Sequence, residues 1–142
     1  MDIGSHRIDL FQDFFGEVVD ARGFCLNQSS SYEVEDTSVT SLRFANGVIA
    51  NLETYFGVAV DPDLFLIRGT HGTLSAQPLN GSTLEIHTTE GIKREEHAPA
   101  SNLNAPLIAD FVDAILSDRP PRVTGESGQE TNRIIAELYA QA

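Results

Sequence analysis

One cysteine, nine cations and no long apolar run narrow this chain before any motif is read. Cys25 stands alone, so no disulfide can form within the chain, and a reducing cytoplasm is the expected setting. Nine Lys and Arg face 21 Asp and Glu, for a formal net charge of −12. That surface repels phosphate backbones and anionic headgroups, which argues against nucleic acid and membrane partners. No apolar stretch is long enough to span a bilayer. The opening Met1-Asp2-Ile3-Gly4-Ser5-His6 has neither the basic segment nor the apolar run of a signal peptide. Also missing are G-x-G-x-x-G, a Walker loop, G-x-S-x-G and C-x-x-C. Gly69-Thr70-His71-Gly72 reads as a hairpin turn and not a phosphate cradle, because no helix follows it.

What is present suits one ordinary globular domain: 142 residues, 41% hydrophobic and 21% charged, without repeats or linkers. Helical periodicity runs from about Ile3 to Phe15. Ile3, Leu10, Phe11 and Phe14 fall on one arc, Ile8 and Phe15 extend it, and Gly16 suits the stop. Val18 to Leu26 reads as a strand, closed by a Ser-rich loop. Val39 to Phe44 and Val48 to Phe56 flank Asn46-Gly47, a hairpin signal resting on positive φ angles. Short strands follow at Leu64 to Arg68, Thr73 to Ala76, Leu84 to Ile86 and Ile92 to Glu96, the last as an exposed edge. After Pro99 the pattern turns helical. Asn104 is a candidate cap with Pro106 in the first turn, and Leu107, Ile108, Phe111, Val112, Ile115 and Leu116 form an apolar stripe. A last helix starts near Ser127 and carries Ile134, Ile135, Leu138 and Tyr139 on one face.

The expected class is therefore α+β: a large open, mostly antiparallel sheet with helices on one face. Ile49 and Tyr55 point to the other face, which is expected to pack against another subunit.

Asp2, His6 and Asp9 are the candidate chemistry. Spacings of four and three place them on one stripe of the first helix, opposite the Ile3-Leu10-Phe14 arc. A histidine beside a carboxylate is a workable general base near neutral pH. Asp13 shares the stripe, so a plain solvated helix face explains it equally. Metal binding by Asp2 and His6 has no second ligand cluster of zinc-like spacing to support it. His71, His87 and His97 read as surface residues.

Asp2-Ile3-Gly4-Ser5-His6-Arg7-Ile8-Asp9 resembles the D-x-G-x-H-x-x-D signature of the glucose-fructose oxidoreductase, inositol dehydrogenase and MocA-type family. Glu35-Asp36-Thr37 with Leu42-Arg43-Phe44-Ala45-Asn46-Gly47 is similar to its E-D…L-x-F-x-N-G hairpin. Ile67 to Leu74 matches I-x-G-x-x-G-x-L. Pro106 to Phe111, Arg119-Pro120-Pro121 and Thr124-Gly125-Glu126 are similar to its closing segment. The resemblance implies that residues 2–142 are the C-terminal, substrate-binding domain of an NAD(P)-dependent sugar or polyol oxidoreductase. The Rossmann domain, its pyrophosphate-binding glycines and the family's catalytic lysine then lie outside this chain. NAD or NADP belongs to the full-length protein, and the chain alone is expected to be inactive. By the same resemblance His6 takes the substrate hydroxyl proton, Asp2 binds a hydroxyl and assists the base, and Asp9 lies at a substrate-binding position. A homo-oligomer through the open sheet face is also implied. Two other readings stay open: a free-standing binding or oligomerisation module without the chemistry, and a metal-dependent hydrolase using Asp2, His6 and Asp9.

Overall fold

The computed structural model describes residues 2–141. In chain order the elements are helix α1 (Asp2–Phe15), strands β1 (Val18–Leu26), β2 (Thr37–Phe44), β3 (Ile49–Tyr55), β4 (Phe65–Gly69), β5 (Gly72–Ala76), β6 (Thr83–Thr88) and β7 (Gly91–Glu96), and helices α2 (Ala105–Leu116) and α3 (Gly125–Tyr139). The architecture is α+β, and all strand pairs are antiparallel. The pairing is divided, however, between a three-stranded sheet, β1-β2-β3, and a four-stranded sheet, β4-β5-β6-β7. Two compact units follow this division. One runs through Val58 and resumes at Val123; the other is Ala59–Arg122. No helix among the described residues is long and apolar enough to cross a membrane.

In the first unit α1 and α3 pack on one face of the β1-β2-β3 sheet. Strand β2 alternates strictly: Ser38, Thr40, Leu42 and Phe44 point inward, Val39, Ser41 and Arg43 outward. The core joins Leu42, Phe44, Val18, Ala21 and Leu52 of the sheet to Ile8 and Phe11 of α1 and Ile134 and Leu138 of α3. Burying each large side chain contributes roughly 1.5–3 kcal/mol relative to leaving it in water. Polar ties fix the helices in place. Arg133 donates to the Val18 carbonyl (3.2 Å) and Gln141 to the Ala21 carbonyl (2.9 Å).

Four details differ from the sequence expectation. The buried face of α1 is Gly4, Ile8 and Phe11, whereas Ile3 (38%) and Phe14 (54%) are exposed. A glycine at one helical turn from Ile8 lets the helix settle on that face, and hydrophobicity alone does not register it. The Asn46-Gly47 turn uses positive φ only at Gly47 (φ 90°), with Gly47 N–H donating to Phe44 O. It is a type I turn completed by a left-handed glycine, not the two-residue turn with both φ positive. Asn104 does not cap α2 with its side chain; Asn102 Oδ1 instead accepts from Asn104 N–H (2.8 Å). Helix α3 begins two residues earlier than expected, capped by Thr124 Oγ1.

In the second unit the register sets Phe65, Ala76 and Leu84, with Ile67, Leu74 and Ile86, on one face of the four-stranded sheet. Strand β7 is its edge, and Glu85 pairs across to Arg94 (2.6 Å) on the other face. The β4-β5 turn depends on Gly72, which has φ 154° and whose added Cβ would lie against the His87 carbonyl oxygen. Gly72→Ala should therefore lower the melting temperature by several degrees and slacken the β5-β6 ladder, read by thermal unfolding and amide exchange. An unchanged melting temperature would contradict this account. Helix α2 ends where Arg119 clamps Asp110 (2.8 Å) and Asp113 (2.7 Å).

Candidate active site

At 100° per residue, the α1 face buried at Gly4, Ile8 and Phe11 fixes the direction of every other side chain. Asp2, His6, Asp9 and Asp13 fall on the opposite side, so the predicted stripe points away from the core even though Ile3 and Phe14, two members of the arc first assigned to that core, are exposed. Helix α3 packs beside α1 and is fastened by Gln12 Nε2, which donates to Thr131 Oγ1 at 2.7 Å.

A cleft of about 550 Å³ opens between α1 and the first turns of α3. Ser5, His6 and Asp9 line one wall; Gly125, Gly128, Gln129 and Asn132 line the other. The two glycines have nothing within 4 Å of where a Cβ would stand, and so leave that wall open. His6, Gln129 and Asn132 are exposed, and Asp9 is half-buried. The structure thus brings His6 and Asp9 to one cleft. Asp2 stands one turn earlier, exposed and not part of the lining, with its carbonyl accepting from Ser5 Oγ (2.7 Å). Gln129 and Asn132 were not anticipated, since amides on a solvent-facing helix carry no periodic signal.

An imidazole, a carboxylate and two amides in one open cleft supply a proton acceptor and several groups that bind hydroxyls. The same set fits a dinucleotide pyrophosphate poorly, because Asp9 would oppose it. Among the described residues no three His, Cys, Asp or Glu side chains are grouped so as to hold a metal ion. The metal-dependent alternative therefore lacks a donor set there. His87 and His97 lie beside Glu85 and Glu95 at 3.3 Å, and His71 beside Thr70; none of the three lines this cleft.

A second carboxylate is built for structure. Asp36, 2% exposed, accepts from the backbone N–H groups of Gln28 (3.0 Å), Ser29 (2.8 Å) and Ser30 (2.8 Å) and from the Ser29 hydroxyl (2.8 Å). These donors, the Gln28 N–H first, hold its pKa far below the usual carboxylate range. Its neighbour Glu35 accepts from Tyr139 Oη at 2.6 Å; burial, then this bond, push the phenol pKa up.

The family model of the GFO/IDH/MocA C-terminal domain matches residues 1–75, just over half of the chain. The chain belongs to the Gfo/Idh/MocA family. Solved structures extend the likeness over the whole chain. UDP-N-acetylglucosamine 3-dehydrogenase from Acidithiobacillus ferrooxidans is 25% identical with a TM-score of 0.86, over 100% of this chain and 46% of its own. An aldose-aldose oxidoreductase from Caulobacter crescentus, complexed with glycerol, gives 22%, 0.84, 98% and 43%. An oxidoreductase from Agrobacterium radiobacter, in complex with NAD+, L-tartaric acid and magnesium, gives 20%, 0.83, 99% and 46%. The chain thus spans less than half the length of these Gfo/Idh/MocA relatives.

Proposed function

We propose that this chain is the substrate-binding and oligomerisation half of an NAD(P)-dependent oxidoreductase that acts on a carbinol of a sugar or polyol. The observation that carries the reading is the cleft where His6 and Asp9 face Gln129 and Asn132. His6 takes the proton of the reacting hydroxyl. Asp9 and the two amides hold neighbouring hydroxyls, and Asp2, one turn away on the same stripe, accepts from a further hydroxyl and assists the base. A nicotinamide held by a separate Rossmann half would supply the hydride acceptor. The relatives' greater length supports such a half, and the sugar substrates and hydroxylated ligands of these relatives support the polyol class. A second copy of the chain is assigned to the outer face of the β1-β2-β3 sheet, where Phe24 (74%) and Ile49 (68%) stand exposed among Arg22, Arg43 and Glu53. A single free cysteine suits a cytoplasmic setting.

The test joins the chain to the nucleotide-binding half of the Acidithiobacillus enzyme. Absorbance of the reduced cofactor is then followed against a panel of sugars and polyols. Turnover by the fusion and none by the chain alone is the expected result. A fusion that binds the dinucleotide yet oxidises nothing would instead favour a non-catalytic binding module.

A further inference from the structure

The two walls of the His6 cleft belong to different helices, and one hydrogen bond ties those helices together at its end. The lining of α1 stops at Asp9, while that of α3 runs from Gly125 to Asn132. One turn beyond Asp9, Gln12 Nε2 donates across to Thr131 Oγ1 at 2.7 Å. At about 1.5 Å per residue the tie stands roughly 10 Å along α1 from Ser5. Thr131 is the one buried residue of the lining, 5% exposed. Its hydroxyl is already committed, accepting from Gln12 and donating to the Ser127 carbonyl (3.4 Å). It has no proton left to offer a ligand, so its part in the cleft is not that of a substrate contact.

We propose that Gln12 and Thr131 are positioning residues: their hydrogen bond sets the spacing at which His6 and Asp9 on one wall and Gln129 and Asn132 on the other hold a single polyol. This rests on the reading of the cleft as the substrate site. A hydrogen bond keeps its length within a few tenths of an ångström, so the bond fixes α3 on α1 at that end of the cleft. Hydroxyls held from two helices need both walls placed correctly at once, and a misplacement of about 1 Å can cost on the order of 10²-fold in rate. The polarity of the pair points the same way. For stability alone a leucine against a valine would serve, because replacing both partners of a hydrogen bond by apolar groups of like shape is nearly neutral. Such a contact is non-directional and would let one helix slide on the other.

The experiment removes the tie and keeps the packing. In the fusion with the Acidithiobacillus nucleotide-binding half, Gln12→Leu is combined with Thr131→Val. The melting temperature and kcat should hold, while KM for the best substrate of the panel rises about tenfold, the scale of one lost hydroxyl contact. Thr131→Ser, which keeps the hydroxyl, should keep the original KM. Asn132→Ala should raise KM in the original fusion and add nothing in the Gln12→Leu, Thr131→Val background, where that amide is already out of reach. An unchanged KM, an additive effect of Asn132→Ala, or the same rise in Thr131→Ser would each overturn the inference. So would a melting temperature that falls together with kcat, the mark of a merely structural pair. Binding to the chain alone separates this from the catalytic reading. D-glucose, sorbitol and glycerol are titrated in, and the amide shifts of Gln129 and Asn132 give Kd. Binding weakened by the two substitutions, with no turnover in the fusion, sinks only the catalytic reading. Turnover with KM and Kd untouched by them sinks only the positioning pair, and a cleft that neither binds nor oxidises any of these compounds sinks both.

Discussion

Replacing His6 by alanine in the joined protein is expected to lower kcat by roughly 10²- to 10⁴-fold, the usual scale for losing a general base. The fold should not notice. The His6 ring is exposed on the side of α1 opposite Gly4, Ile8 and Phe11, and a surface change of that kind usually costs within about 0.5 kcal/mol. His6→Gln separates the two duties of the side chain. It keeps a hydrogen-bonding group in the cleft but cannot take up the hydroxyl proton, so kcat should fall as far as in the alanine variant while KM stays near its original value. Asn132→Ala and Gln129→Ala, on the facing wall, should do the reverse and act mainly on KM, because they remove hydroxyl partners and no proton acceptor. Full activity in His6→Ala would remove the imidazole from the mechanism.

What the sequence made legible follows the range of the forces involved. The Asn46-Gly47 hairpin is local: one glycine at φ 90° and one Phe44–Gly47 hydrogen bond create it, so it can be read from adjacent letters. The extent of α1 is equally local, but its buried face is not. Ile3 and Phe14 satisfy the periodicity and are still exposed, because the face that packing covers is the one holding Gly4, Ile8 and Phe11. Pairing of strands beyond their hairpins is a long-range matter as well. Turn residues marked each strand without saying that β3 and β4 belong to different sheets. The candidate site divides the same way. Asp2, His6 and Asp9 share a stripe by spacing alone, whereas Gln129 and Asn132 come to His6 and Asp9 only through the packing of α3 beside α1. The α2 stripe was plain as a pattern, but periodicity did not reveal that Leu107, Ile108, Phe111, Val112, Ile115 and Leu116 stay exposed on this chain.

Asp36 should be the most consequential loop residue for stability, and the most sensitive to acid. Its carboxylate gathers three consecutive backbone N–H groups and two hydroxyls, those of Ser29 and Thr37. Alanine leaves all of these partly buried donors without an acceptor. Asparagine keeps one oxygen but turns an amide NH2 towards N–H groups that need acceptors. Either variant should lower the melting temperature by roughly 5–15 °C, a large shift for a domain of this size. The loop at residues 27–30 should also become susceptible to proteolysis. The pH dependence has a definite sign. Because the native pKa is depressed below that of the unfolded chain, Asp36 stabilises the fold at every pH above about 4, the unfolded value. That contribution is lost progressively as pH falls from there towards the depressed native pKa. Urea unfolding of the original protein should therefore weaken steeply below pH 4, while Asp36→Asn, already without the charge, should show a shallower slope over the same interval. Parallel acid profiles for the two proteins would mean that Asp36 is not the group whose protonation loosens the sheet.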